Sequence, residues 1–594
     1  MSTTTHGQLP AKSHRPAGPS GRQGTLAVYT EGNGSVSTTR TARPPPLQSC
    51  SHAARPREPP IDKKPSIARS TATMSVATTL SRVTGFARTW AMAYALGVTV
   101  LSASYQVANN IPNMIYELVA GGTLSSVFIP LFIERMQRDG KDEAWRFAST
   151  VLNITVLALG LVALAGTLVP EPFVRTQTFR ISPEKAALAV HLFRFFAVQV
   201  VFYGALAIWT GVLHSHRKFL TPAVAPIFNN VVVIVTMLFV YLPLKDTHLQ
   251  AAIDGLAIGT TLGVAAMALV QVPALIRIGA KFHLSIDWRH PGLKKLAAKM
   301  APMVVYTIIN LVCISFRNAY AFQTSETGPA VLAYAWNFYQ LPYGVFAIAL
   351  STAIFPEIAS LADARDWDGF KRMFVRGLRS LSVIMLPLAA MLIALATPVI
   401  RLYRAGNFTA SDVPVVAEVL VWWAAGLLFM AANMYVLRTF YALQDTKTPM
   451  VTNFFGSILQ VSLYALLTSG IGSWKGIGLA GIPVADGVFF ALHLSALLVI
   501  LRRKVGPYGL GGIVSTVAKT ALSSLAGAVA AAGFVRATPG LSGPGVFVAQ
   551  LVAAGVIGLG VSYGLAALLG VSEVSSGVRR ARQMVSSRFA RGRR

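Results

Sequence analysis

The sequence predicts an all-helical membrane protein: fourteen transmembrane helices, built as two six-helix repeats related by a parallel pseudo-two-fold axis, plus two extra C-terminal helices. Three observations predict it. Apolar residues make up 54% of the chain and charged residues 13%, with a mean hydropathy of +0.55, whereas soluble domains carry about 25% charged residues. The apolar runs are long and unbroken, near or above the roughly 20 residues that cross a bilayer as a helix, and unlike the ~10-residue alternation of a membrane β-strand. The same punctuation also recurs along the chain. Pro130 and Pro356 lie 226 residues apart, as do Pro172 and Pro398, and Pro222 and Pro449 lie 227 apart. A repeat of this length made of apolar spans implies two similar bundles facing each other, the architecture of alternating-access transporters.

Taken in order, residues 1–65 are a basic tail rich in Pro, Ser, Thr and Arg. Without apolar material for a core, it is expected to be disordered. No signal-peptide apolar region is visible, and Met74 is an alternative start. Fourteen spans follow, near 72–98, 102–132, 147–170, 186–213, 220–243, 251–276, 296–322, 329–361, 377–400, 413–440, 448–470, 477–501, 512–535 and 545–570. They group into a first lobe (66–285), a second lobe (286–505), two extra helices (506–572) and a basic tail (573–594).

Loop charge orients these spans. Alternate loops collect clusters such as Arg135, Arg138, Lys141 and Arg146, or Arg365, Lys371, Arg372 and Arg376. The opposite loops hold fewer basic residues by roughly three to one, and the positive-inside rule then places both termini in the cytoplasm. The net charge of +29 therefore reads as topology and tails, not as a nucleic-acid surface. The two cysteines, Cys50 and Cys313, suggest neither a disulfide framework nor a metal cluster.

Polar side chains inside the spans are the candidate site. Span 1 holds Arg82 and Arg88, each costing about 2.5–3.5 kcal/mol on insertion scales at the bilayer centre. They require a wet cavity or a partner, unless they snorkel to a membrane surface. Span 2 carries a stripe of Gln106, Asn109, Asn110, Asn113 and Glu117 around Pro112, which either lines a cavity or bonds helix to helix. Span 7 contributes Arg317, and span 8 contributes Asn337 and Gln340. No HExxH, Walker loop or nucleophile elbow is present, so no enzyme activity and no cofactor or metal is expected.

Several of these segments resemble a known family. Ser81-Arg-Val-Thr-Gly-Phe-Ala-Arg88, Ile111-Pro-Asn113, Gly122-Thr-Leu-Ser-Ser-Val-Phe-Ile-Pro130, Gly406-Asn-Phe-Thr409 and Phe440-Tyr-Ala-Leu-Gln-Asp-Thr-Lys-Thr-Pro449 are similar to signatures of the MurJ/MviN lipid II flippases. These belong to the multidrug/oligosaccharidyl-lipid/polysaccharide exporter superfamily. Tyr116-Glu-Leu-Val-Ala-Gly-Gly122 looks like the actinobacterial branch.

The resemblance implies a plasma-membrane flippase that moves a lipid-linked disaccharide-pentapeptide from the cytoplasmic to the periplasmic leaflet for peptidoglycan synthesis. It also implies two lobes plus a helix pair forming a groove for the lipid tail. Membrane lipid, and cell-wall synthesis or division proteins reached through the tails, are the further expected partners. The family's cavity arginines map onto Arg82 and Arg88. Its other charged positions fall on Ala103, Tyr116, Gly121, Asn337 and Gln340, so this cavity departs from the family by losing charge. Substrate binding is assigned to Arg82, Arg88, Asn109, Asn113, Arg317, Asn337 and Gln340. Alternatives are a superfamily exporter of another polyprenyl-linked glycan or of a drug, a lipid-modifying enzyme, and a non-transporting cell-wall scaffold.

Overall fold

Lipid offers no hydrogen-bond partner, so a chain this apolar must pair its backbone within each segment, and helices do so. The computed structural model describes residues 67–120, 123–284, 287, 291–539 and 543–576. The tail expected at 1–65 and residues 577–594 of the second tail lie outside them, as does the Gly121–Gly122 pair of the sequence signatures. All long elements among the described residues are helical.

The first half runs α1 (Ile67–Leu96), α2 (Val100–Ala120), α3 (Thr123–Arg138), α4 (Lys141–Leu168), α5 (Glu171–Thr178), α6 (Pro183–Phe196), α7 (Gln199–Ser215), α8 (Leu220–Val235), α9 (Leu242–Leu244), α10 (Leu249–Leu269) and α11 (Val272–Arg277). The second runs α12 (Pro291–Thr324), α13 (Gly328–Pro342), α14 (Ile348–Asp363), α15 (Trp367–Ala394), α16 (Ala396–Ile400), α17 (Asp412–Ala425), α18 (Leu427–Ala442), α19 (Lys447–Ser469) and α20 (Gly481–Val505). The hairpin of α21 (Leu510–Ala537) and α22 (Pro544–Leu568) ends the bundle.

The breaks in the two halves match. Pro130 and Pro356 lie within α3 and α14, Pro172 and Pro398 within the short α5 and α16, and Pro222 and Pro449 in the first turns of α8 and α19. The α6–α7 pair bends by 47° and its counterpart α17–α18 by 45°. A π-helical turn, Tyr343–Ala347, separates α13 from α14.

Among the described residues, ten helical units are long and apolar enough to cross a membrane, and the two bent pairs bring the number to twelve. The chain is a multi-pass membrane protein. The first two of the fourteen expected spans fall below that threshold for a physical reason: α1 carries Arg82 and Arg88, and α2 carries its row of amides.

Helices pack mainly within each half, α1 and α10 against α8, α4 against α7, α19 against α12 and α20. The α21–α22 hairpin docks on α15. Arg379 fastens it there, its Nε 2.8 Å from Thr516 Oγ1 and 2.9 Å from Glu573 Oε1. A Cβ on Gly527 would lie 2.3 Å from the Gly558 carbonyl oxygen, so glycine is what lets α21 and α22 approach so closely.

At one end the two halves interlock. Asn407, in the turn after α16, donates its backbone N–H to the Tyr94 carbonyl (2.9 Å) and its side-chain amide to the Ala95 carbonyl (2.6 Å). Its Oδ1 accepts from Lys245 Nζ at 3.2 Å. Gly97 and Gly406 have φ near +60°. Cβ atoms there would stand 2.2 Å from the Asn407 oxygen and 2.4 Å from the Tyr94 oxygen. Tyr334 Oη donates to the Gly97 carbonyl (2.9 Å), and Lys185 pairs with Glu326 across the same end at 2.7 Å.

Candidate functional site

Behind this interlock, α1 and α2 face α12 and α13 across a cavity of about 480 Å³. All seven residues singled out from the sequence line it: Arg82, Arg88, Asn109, Asn113, Arg317, Asn337 and Gln340. The sequence could not say which way the arginines faced. Here Arg82 is exposed at the rim and reaches across to the second half, its Nη2 3.5 Å from the Gly344 carbonyl. Arg88 is half-buried deeper on α1, with neither a hydrogen-bond nor an ion-pair partner among the described residues. Arg317 does not snorkel. Its guanidinium lies over the Trp336 ring, 5.5 Å from the centroid, and its Nε is enclosed without a hydrogen-bond partner.

The amide stripe divides between the two roles open to it. Asn113 Nδ2 turns back onto the Asn109 carbonyl (2.6 Å), beside the carbonyl that Pro112 leaves without its usual partner, and its Oδ1 accepts from Tyr203 Oη at 2.9 Å. Asn109 and Gln340 border the cavity with side chains that no protein group engages among the described residues. Asn110 is a bridge. Its amide and that of Asn318 both donate to Gln177 Oε1, which ties α2 and α12 to α5. Asn337 donates to Tyr403 Oη at 2.9 Å while facing the cavity.

The departures from the family pattern also find their place. Tyr116 does not line the cavity but packs on Tyr203, ring centroids 4.8 Å apart. Ala103 is fully buried. No carboxylate lines the cavity among the described residues, so its charge comes from three arginines. Guanidinium forks suit phosphate oxygens, which they engage with paired, charge-assisted hydrogen bonds.

Sequence reasoning missed what stands behind the second wall. Trp423, at the edge of the cavity, donates its indole N–H to Asp486 Oδ2 at 2.9 Å. Gln460 donates to Asp486 Oδ1 at 2.7 Å, and Tyr464 donates to the same oxygen. Asp486 is 5% exposed, a satisfied carboxylate inside the bundle. Its spacing from Gln460 and Tyr464 in sequence carried no signal, because the three meet only when α19 and α20 pack. The Phe440–Pro449 signature has a structural role. Gln444 takes a left-handed conformation (φ 57°), and Asp445 accepts from the Thr448 N–H at 3.0 Å and pairs with Lys504. Burial would raise the Asp445 pKa, but the hydrogen bonds from Lys504 and Thr448 outweigh it and hold the carboxyl below its usual range.

Comparison with known proteins agrees with this geometry. The family model described as lipid II flippase MurJ matches residues 92–553. A lipid II flippase MurJ of Burkholderia cenocepacia is 28% identical over 451 residues, covering 74% of this chain and 84% of that protein. A probable lipid II flippase MurJ of Vibrio cholerae is 27% identical, covering 84% and 94%. Among solved structures, a lipid II flippase MurJ in an inward closed conformation superposes with a TM-score of 0.68 at 23% identity, covering 83% of this chain and 98% of that one. An inward-facing multidrug resistance transporter of the MATE family, in the MOP superfamily, follows with a TM-score of 0.60 at 15% identity, covering 73% and 98%. With the family model spanning most of the chain, this chain belongs to the lipid II flippase MurJ family.

Proposed function

We propose that this protein translocates the lipid-linked peptidoglycan precursor, lipid II, from the cytoplasmic to the periplasmic leaflet by alternating access. The observation that carries the reading is the composition of the central cavity: three arginines drawn from both halves of the repeat, a row of amides, and no carboxylate on its wall among the described residues. In this reading α1 and α2–α3 complete fourteen crossings, the two six-helix lobes and the extra pair are the working domains, and both termini are cytoplasmic. The Asn407 interlock then seals the periplasmic end, so the cavity takes its headgroup from the cytoplasm.

Arg82, Arg88 and Arg317 hold the pyrophosphate, while Asn109, Asn113, Asn337 and Gln340 meet the sugar and peptide. Substrate drives the exchange only by binding the two states differently, and the arginines from opposite lobes supply that difference as the lobes close on it. A cationic drug is a poor fit, since nothing on the cavity wall would neutralise it.

Depletion of the protein, followed by measurement of which leaflet holds accumulated lipid II, tests the reading directly. Accumulation in the cytoplasmic leaflet is expected, and an unchanged distribution would refute it. Paired cysteines near Ile129 and Phe355, in a background lacking Cys50 and Cys313, test the rocking motion. Bridging needs Cα atoms within roughly 7 Å. A reversible block of flipping on cross-linking is expected, and complete cross-linking with normal flipping would exclude rigid lobe exchange.

A further inference from the structure

A second recess, away from the arginine cavity, lies on the outer flank of the first half. It measures about 480 Å³ and is lined by α4, α7, α11 and the strand of chain that leaves α11 toward α12. Its walls are apolar, with Trp145, Leu152, Ile208, Trp209 and Leu275 the main contributors. The chain after α11 does not hang loose. Ser149 Oγ accepts from the His283 N–H at 3.1 Å, and Asn153 Nδ2 donates to the His283 carbonyl at 2.8 Å. These two buried side chains strap residues 281–284 across α4 and make a recess of what would be a smooth helix surface. The strap presents apolar groups outward, with Phe282 61% and Leu284 88% exposed.

Three features say what fills it. From Trp145 to Val156, both on its wall, the recess follows α4 for about 16 Å, at 1.5 Å per residue. That is close to half of a ~30 Å hydrocarbon core, the depth of one leaflet. Two cations lie near its mouth. Lys281, on the rim, pairs with Asp142 Oδ1 at 2.7 Å, while Arg277, which ends α11, is exposed and unpaired among the described residues. The Trp209 indole N–H, on the wall, engages no protein acceptor among the described residues, and it suits the carbonyl of an ester at the interface.

We infer that this recess binds one anionic diacyl phospholipid, an acyl chain along α4 and the phosphate at the unpaired Arg277. The orientation proposed above makes it a lipid of the cytoplasmic leaflet. The lipid would brace the segment that links the two halves, at a site separate from the headgroup cavity.

Native mass spectrometry of the full-length protein, with chain-matched phosphatidylglycerol and phosphatidylcholine as probes, tests the site without any flipping assay. Wild type should retain one phosphatidylglycerol in preference to phosphatidylcholine. Arg277→Ala should weaken phosphatidylglycerol retention about fivefold, the value for one basic side chain at an anionic lipid surface, and Lys281→Ala, whose charge Asp142 balances, should weaken it less. Ala280→Trp, at an exposed position on the rim, should narrow the mouth and weaken both lipids. Equal retention of the two lipids, or unchanged retention in all three variants, would overturn the proposal. So would displacement of the bound lipid by an equimolar polyprenyl phosphate, which would assign the recess to a substrate tail.

Discussion

The two walls of the arginine cavity draw on the same residue types and balance them differently. On the wall formed by α1 and α2, Arg88 stands among amides with no ion-pair partner among the described residues. On the wall formed by α12 and α13, Arg317 is stacked on Trp336, which packs on Trp423, the indole that donates to the buried Asp486. The second wall therefore has an aromatic partner for its arginine and a carboxylate set behind it, whereas Arg88 on the first has neither among the described residues. A cation whose only counter-charge is the substrate changes its energy more on binding than one already balanced. Under the proposed function, this difference would give Arg88 the main share of headgroup binding and Arg317 a supporting one.

Removing the buried carboxylate should have the largest effect. Asp486→Ala strands the donors of Trp423, Gln460 and Tyr464 inside the bundle, each costing about 1–3 kcal/mol. A loss of about 3 kcal/mol or more in stability is expected, read as a lowered melting temperature in detergent. An unchanged melting temperature would mean that the second wall is not held from behind.

Arg88→Ala should come next, reducing flipping about a hundredfold through loss of a charge-assisted, paired hydrogen bond, with normal membrane insertion. Complementation of a flippase-depleted strain measures it. Arg88→Lys should recover only part of the loss, because an ammonium lacks the planar fork. Normal growth with Ala would remove Arg88 from the mechanism.

Arg317→Ala should reduce flipping about tenfold, the equivalent of one charge-assisted bond. A deficit as large as that of Arg88→Ala would erase the proposed asymmetry between the walls.

The smallest effect is expected outside the cavity. Asp445→Asn should cost about 1 kcal/mol of stability, the value of a helix cap, and leave flipping intact. Because the folded-state pKa of Asp445 is depressed, its contribution is present at neutral pH. It is lost as pH falls below the ordinary carboxylate value of about 3.9. Thermal melts of wild type and variant should therefore converge under acid. A gap that persists there would place the stabilisation elsewhere.

Much of the architecture was legible before any coordinates. Helical membrane class, the order of segments and the internal repeat follow from apolar run length and from prolines at one offset, because lipid forces each segment to satisfy its own backbone. The seven polar residues that line the cavity were found for a related reason: a polar side chain in a bilayer is costly enough to need a cavity or a partner. Tertiary packing decided the rest. Whether Arg317 snorkels or turns inward depends on where Trp336 stands, and that is set by how α12 and α13 meet. Asn110 reads like Asn109 in sequence and both border the cavity, yet only Asn110 also bridges helices, through Gln177. The Asn407 interlock and the Asp486 cluster join residues far apart in the chain, brought together only by the packing of whole helices. Composition and periodicity report what a side chain must avoid, while its partner is chosen by the neighbour that folding brings to it.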